Sequence, residues 1–146
     1  MVSAQTRLSL GIGGGVAGST DASLSEGRAG VALMGQLVHG VLPFLGLGVD
    51  VDHWTRSGAT VTFVTGVVQL HIPATGLLLR AGAGFGTGNP DSAGTTNGLA
   101  GQIGLSYDLT IPAAPIAVTL FGNGSVAYSS SRSIQLVDAG IAVTLR

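Results

Sequence analysis

Several residues in this chain have the types that chemistry uses. The stretch DVDHWTRS (Asp50–Ser57) brings aspartate, histidine and serine within eight positions. A hydrolytic triad needs a hydroxyl, an imidazole and an orienting carboxylate within hydrogen-bond reach of one another. The stretch LSLGIGGGVAGST (Leu8–Thr20) contains Gly13-x-Gly15-x-x-Gly18, the spacing of a loop that cradles a pyrophosphate. Three histidines, His39, His53 and His71, are scattered and there is no cysteine. A metal centre needs clustered ligands, so none is expected. Each candidate depends on the element that would hold it.

The glycine motif needs a helix directly after Gly18. The following STDASLSEGRAG has no 3.6-residue apolar period and two more glycines. Similar runs recur, as in AGAGFGTG (Ala81–Gly88), and the chain has 25 glycines. The dinucleotide reading therefore lacks its context, and no cofactor is expected. Leu8, Leu10, Ile12, Gly14 and Val16 instead alternate with Ser9, Gly11, Gly13, Gly15 and Ala17. Period two means a strand with two different faces.

The same alternation continues down the chain. Val31, Leu33 and Leu37 oppose Arg28, Ala32, Met34 and Gln36. Leu45, Leu47, Val49 and Val51 oppose Gly46, Gly48, Asp50 and Asp52. Val64, Val68 and Leu70 oppose Phe63, Thr65, Gln69 and His71. Leu77, Leu79 and Phe85 oppose Leu78, Arg80 and Gly82. Ile103, Leu105 and Tyr107 oppose Gln102, Ser106 and Asp108. Ile116, Val118 and Leu120 oppose Thr119, Phe121 and Asn123. Val137, Ile141 and Val143 oppose Asp138, Gly140 and Thr144. Phe63, Val67 and Phe121 fall on the nominally polar face, and Gln135 marks a possible slip in the last strand.

Composition decides what eight such strands build. Only 9% of the 146 residues are charged and the mean hydropathy is +0.54. A soluble domain usually carries about 25% charged residues. No apolar run is long enough for a membrane helix. Strands of about ten residues cross a bilayer when tilted, and an even number of them closes without an edge. The expected fold is therefore all-β: an eight-stranded antiparallel up-and-down transmembrane β-barrel, a single domain over 7–146. A net charge of −1 argues against nucleic-acid binding. The lipid bilayer is the expected partner, with a monomeric barrel.

The connections differ in kind. STDASLSEG, HWTRSGA and GTGNPDSAGTTNG are polar, whereas HGVLP, PATG and TIPAAP carry proline. Long loops at one end and tight turns at the other is the asymmetry of outer-membrane barrels, with loops outside and turns in the periplasm. In these features the chain resembles the small eight-stranded bacterial outer-membrane barrels, the group of outer membrane proteins X, W and the membrane part of A. The resemblance implies an outer-membrane location after removal of a signal peptide. VSAQ (Val2–Gln5) resembles the end of such a peptide, so residues 1–6 are expected to be a flexible remnant. The chain ends AVTLR, where members of the group usually end in an aromatic residue. Either the alternation up to Leu145 suffices, or the native chain continues beyond Arg146.

Inward charges should form a polar network of Arg28, Asp50, Asp52, Gln69, His71, Arg80, Gln102, Asp108 and Asp138. Arg28 is expected to pair with Asp50 and Asp52, and Arg80 with Asp108, because buried charges need partners. Trp54, Tyr107, Tyr128 and Phe44 lie near strand ends, where aromatic girdles settle. Some barrels of this kind modify lipids, and the deacylase type carries His-x-Ser; none of the three histidines here is in that motif. No catalytic residue is assigned. The expected role is structural or surface-interacting, through the loops at 19–27 and 86–98. The alternatives are a narrow channel or conduit for small solutes or hydrophobic ligands, and a lipid-modifying enzyme.

Overall fold

The structure is a computed structural model that describes residues 5–19, 27–90, 94–130 and 132–146. Eight strands run in chain order: β1 (Thr6–Ser19), β2 (Arg28–Leu42), β3 (Leu45–Arg56), β4 (Ala59–His71), β5 (Leu77–Gly88), β6 (Thr96–Thr110), β7 (Ile116–Tyr128) and β8 (Ser133–Leu145). Each pairs antiparallel with its neighbour, and β1 pairs with β8 from Leu8↔Leu145 to Ser19↔Ile134. The ladder closes on itself, so no strand edge is left without partners.

The alternation in the sequence is the inside and outside of this barrel. Leu8, Leu10 and Ile12 point outward and are exposed, while Ser9 is buried. Exposure of the outward side chains reaches 69% at Leu99 and Ile103 and 65% at Phe85. Water would not tolerate that surface all round a small domain. The inward face of β1 is small from Ser9 to Ala17. A side chain at Gly11 would stand 2.7 Å from the Phe121 ring, which explains why this strand carries glycine there. Gln135 causes no slip: it faces outward and leaves Ile134 and Leu136 buried inside.

The connections are less asymmetric than the sequence suggests. HWTRSGA contains no long loop, because β3 runs to Arg56 and β4 starts at Ala59. Ser57 and Gly58 join them with φ of 38° and 86°. Two central residues at positive φ are the signature of a type I′ hairpin, whose twist matches that of the strands. Two turns at the opposite end share a motif, Ile72-Pro73-Ala74-Thr75 and Ile111-Pro112-Ala113-Ala114. In each the fourth N–H donates to the isoleucine carbonyl, at 3.3 and 3.2 Å. Proline second and positive φ third (63° at Ala74, 62° at Ala113) make them type II turns.

The long connections lie at 20–27 and 89–95, so part of the expected 86–98 loop is strand. Positions 20–26 and 91–93 lie outside the described residues. So does most of the expected N-terminal remnant, but Thr6 already pairs with His39, and Gln5 accepts a hydrogen bond from the Gly40 N–H.

Candidate functional site

Inward side chains are arranged along the barrel in three layers. Nearest the loop end lies an apolar plug. Trp54 from β3, Val61 and Phe63 from β4, and Ile134 and Leu136 from β8 are each at most 1% exposed. Two glycines make the space. A Cβ at Gly30 would stand 2.6 Å from the Trp54 ring, and one at Gly86 would stand 2.7 Å from Phe63. The Trp54 indole N–H donates to the Gly15 carbonyl at 3.1 Å, which satisfies its one polar atom.

The middle layer is polar and buried. Arg80 from β5 stands 3.3 Å from the Asp50 carboxylate of β3, and their side chains are 1% and 0% exposed. Arg80 also donates to the Asn123 side-chain oxygen. Gln36 donates to Asp50 at 3.3 Å. Gln102 donates to Asp52 and accepts from Thr65, and Asn123 donates to Asp52 at 3.2 Å. Asp138 faces this layer opposite Asn123 in the β7–β8 register. A Cβ at Gly104 would come within 2.9 Å of the Arg80 guanidinium, so that glycine gives the arginine its room. Buried charges are tolerable when they are paired and hydrogen-bonded, and donors from four strands serve Asp50 and Asp52 here. Neither carboxylate oxygen of Asp138 has a hydrogen-bond partner among the described residues.

The third layer lies at the turn end. Asp108 from β6 accepts from Arg7 and from Arg146, both at 2.7 Å. Thr119 donates to the same carboxylate at 2.7 Å. A hydroxyl chain continues from Thr119 to Thr144 and on to Ser9, each step 2.7 Å.

Of the residues expected in the interior network, Asp50, Asp52, Gln69, Arg80, Gln102, Asp108 and Asp138 are buried on the inner face. Two are not. Arg28 is exposed at the rim, the first residue of β2, opposite Ala17. It cannot pair with Asp50 or Asp52, which lie opposite Gln36 and Met34 much further along the strand. His71 is the last residue of β4 and is also exposed. Arg80 does not pair with Asp108 either. Arg80 lies opposite Gly104, four residues short of Asp108, and its carboxylate comes from across the lumen. Trp54 is no girdle residue, because it shares the inward parity of Asp50 and Asp52. Phe44, Tyr107 and Tyr128 are exposed, at 49%, 43% and 63%.

Sequence reasoning passed over Arg7, Arg146, Gln36 and Asn123 as network members. Arg7, Gln36 and Asn123 carry the inward parity of their strands, and Arg146 continues that of β8 one residue past its end, which is the signal that identifies them. The stretch Asp50–Ser57 does not assemble a triad. His53 faces outward, where its Nδ1 lies 2.8 Å from the Thr62 hydroxyl, while Asp50 and Asp52 face the lumen. Among the described residues, no group of three or more histidine or acidic side chains is placed to hold a metal ion.

The sequence matches no family model and no curated protein. Solved structures do match over nearly the whole chain. The attachment invasion locus protein Ail of Yersinia pestis aligns with a TM-score of 0.68 and 13% identity, covering 97% of this chain and 99% of its own. Neisserial surface protein A aligns with a TM-score of 0.66 and 12% identity, covering 96% of both chains. The N-terminal β-barrel domain of Pseudomonas aeruginosa OprF gives 0.51 and 13%, covering 97% of this chain and all of that one. At such identities the likeness is one of architecture, and it is specific: this chain has the fold of the small eight-stranded outer-membrane β-barrels.

Proposed function

We propose that this chain is an outer-membrane barrel with a closed interior, acting through the surface it presents at its loop end. The observation that carries this reading is the apolar plug. Trp54, Phe63, Ile134 and Leu136 belong to one buried apolar cluster at the loop end of the lumen. Behind it, the Arg80 network occupies the centre of the lumen. An eight-stranded barrel is just wide enough to be filled by side chains, so the lumen serves stability and the loops are left to meet partners. The attachment locus protein and the surface protein among the similar structures support a surface role.

Planar-bilayer recording tests the proposal. The protein should insert without raising conductance above that of the bare bilayer. Steady channels whose conductance changes when Arg80 is replaced would overturn it and favour a narrow pore.

A further inference from the structure

The turn end of the lumen is not filled as the loop end is. A cavity of about 450 Å³ lies there, within the range of small-molecule sites. It exists because inward residues are missing side chains: Gly40 and Gly46 both border it, and a Cβ at Gly46 would strike Val38 at 2.5 Å. The β2–β3 register also shifts between Gly40 and Leu42 beside it.

The lining has two chemistries. Val38, Leu42, Pro43 and Leu45 make an apolar part. Arg7, Arg146, Gln69 and His71 make a polar part, and among the described residues no carboxylate side chain lines the space. The nearest carboxylate, Asp108, stands behind the two arginines, and both reach the same oxygen of it. On the side chains alone, two guanidiniums share one carboxylate, an excess of one positive charge. The Arg7 and Arg146 side chains are only 12% and 25% exposed, so water screens that charge poorly. The Nε atoms of both arginines lack a hydrogen-bond partner, as does the buried side-chain oxygen of Gln69, a residue only 4% exposed. The next charges along the lumen, Arg80 and Asp50, already hold each other.

We propose that this cavity binds a small anionic amphiphile. Its oxyanion head, a carboxylate or phosphate monoester, is held by Arg7 and Arg146. Its short hydrocarbon body lies against Val38, Leu42 and Leu45. A charge-assisted pair in a poorly hydrated mouth supplies the recognition, and the apolar part selects for a body behind the head. The inference concerns the turn end and stands apart from any role of the loops.

The test is NMR titration of the full chain in a non-ionic detergent, following the arginine Nε–H and the Gly40 and Gly46 amide signals. The probes are hexanoate, butyl phosphate, inorganic phosphate and hexylamine. At least one of hexanoate and butyl phosphate should saturate and outbind both inorganic phosphate and hexylamine, and the better of the two identifies the head. Arg146→Gln keeps Asp108 paired with Arg7 but neutralises the site, so binding should weaken at least tenfold. Asp108→Asn adds net positive charge and should tighten it. Heat-dependent gel mobility confirms that each variant is folded, and Arg7→Gln replaces Arg146→Gln if that one is not. Equal binding of hexylamine, equal binding of inorganic phosphate, or indifference to both charge changes would overturn the proposal.

Discussion

Removing the charge of Arg80 leaves Asp50 buried with no cation against it. Arg80→Leu should therefore destabilise the barrel by roughly 3–5 kcal/mol, the cost of breaking a buried ion pair from one side. Adding Asp50→Asn should recover part of that loss, since the stranded charge goes with it. Adding Asp108→Asn should recover nothing, because Asp108 belongs to Arg7 and Arg146. Urea unfolding in lipid vesicles measures all three, and recovery by Asp108→Asn would refute the assignment. This partner was not legible in the sequence. Parity says which side chains face the lumen, and Arg80, Asp50 and Asp108 all do. It does not say how high each stands or what reaches it from across the barrel, because that depends on register and strand tilt. Trp54 was legible by the same parity, yet its nearness to a strand end suggests a girdle. The neighbour that makes room for it, Gly30, lies on another strand at a distance the sequence does not encode.

At the scale of elements, the strands follow from period-two alternation and the turns from local backbone chemistry. The Ser57-Gly58 hairpin hides inside a polar stretch that reads as a loop, and two residues at positive φ are what make it tight. Asparagine tolerates that conformation better than serine, so Ser57→Asn should stabilise by a few tenths of a kcal/mol, and Gly58→Val should destabilise by at least ~1. Ala74 and Ala113 offer a sharper case. Each holds the position of a type II turn that calls for glycine. An L-residue there costs about 1–2 kcal/mol. Glycine gives back about 0.5–1 through the entropy of the unfolded chain. Ala74→Gly and Ala113→Gly should each stabilise the barrel by about 0.5–1 kcal/mol in the same unfolding assay. A loss of stability in both would show that these turns do not hold the left-handed conformation. The connections at 20–27 and 89–95 join strands whose pairing already reaches Ala17 opposite Arg28 and Gly88 opposite Thr96. Shortening either to a tight turn should leave the unfolding midpoint nearly unchanged.

The whole molecule inverts the usual arrangement, with a polar centre and an apolar exterior. On β8, Val137 to Leu145 place Val137, Ile141, Val143 and Leu145 outward, each 47–56% exposed. That stretch is eight rises of ~3.3 Å, about 26 Å along the strand. Tilted by about 40°, it approaches the ~25 Å apolar band of a membrane barrel. The band continues around all eight strands, so no orientation in water hides it. The chain should therefore fold in detergent or lipid and aggregate in plain buffer. Closure adds a second expectation. The ladder has no edge from which SDS could peel a strand, since β1 and β8 pair over their whole shared length. The folded barrel should run at a different position on a gel before and after boiling. Identical mobility in the two samples, or a monodisperse folded monomer without detergent, would contradict a membrane-embedded closed barrel. A destabilised variant such as Arg80→Leu should lose the unboiled position at lower temperature than the parent, because loss of the centre must reach the wall that the centre supports.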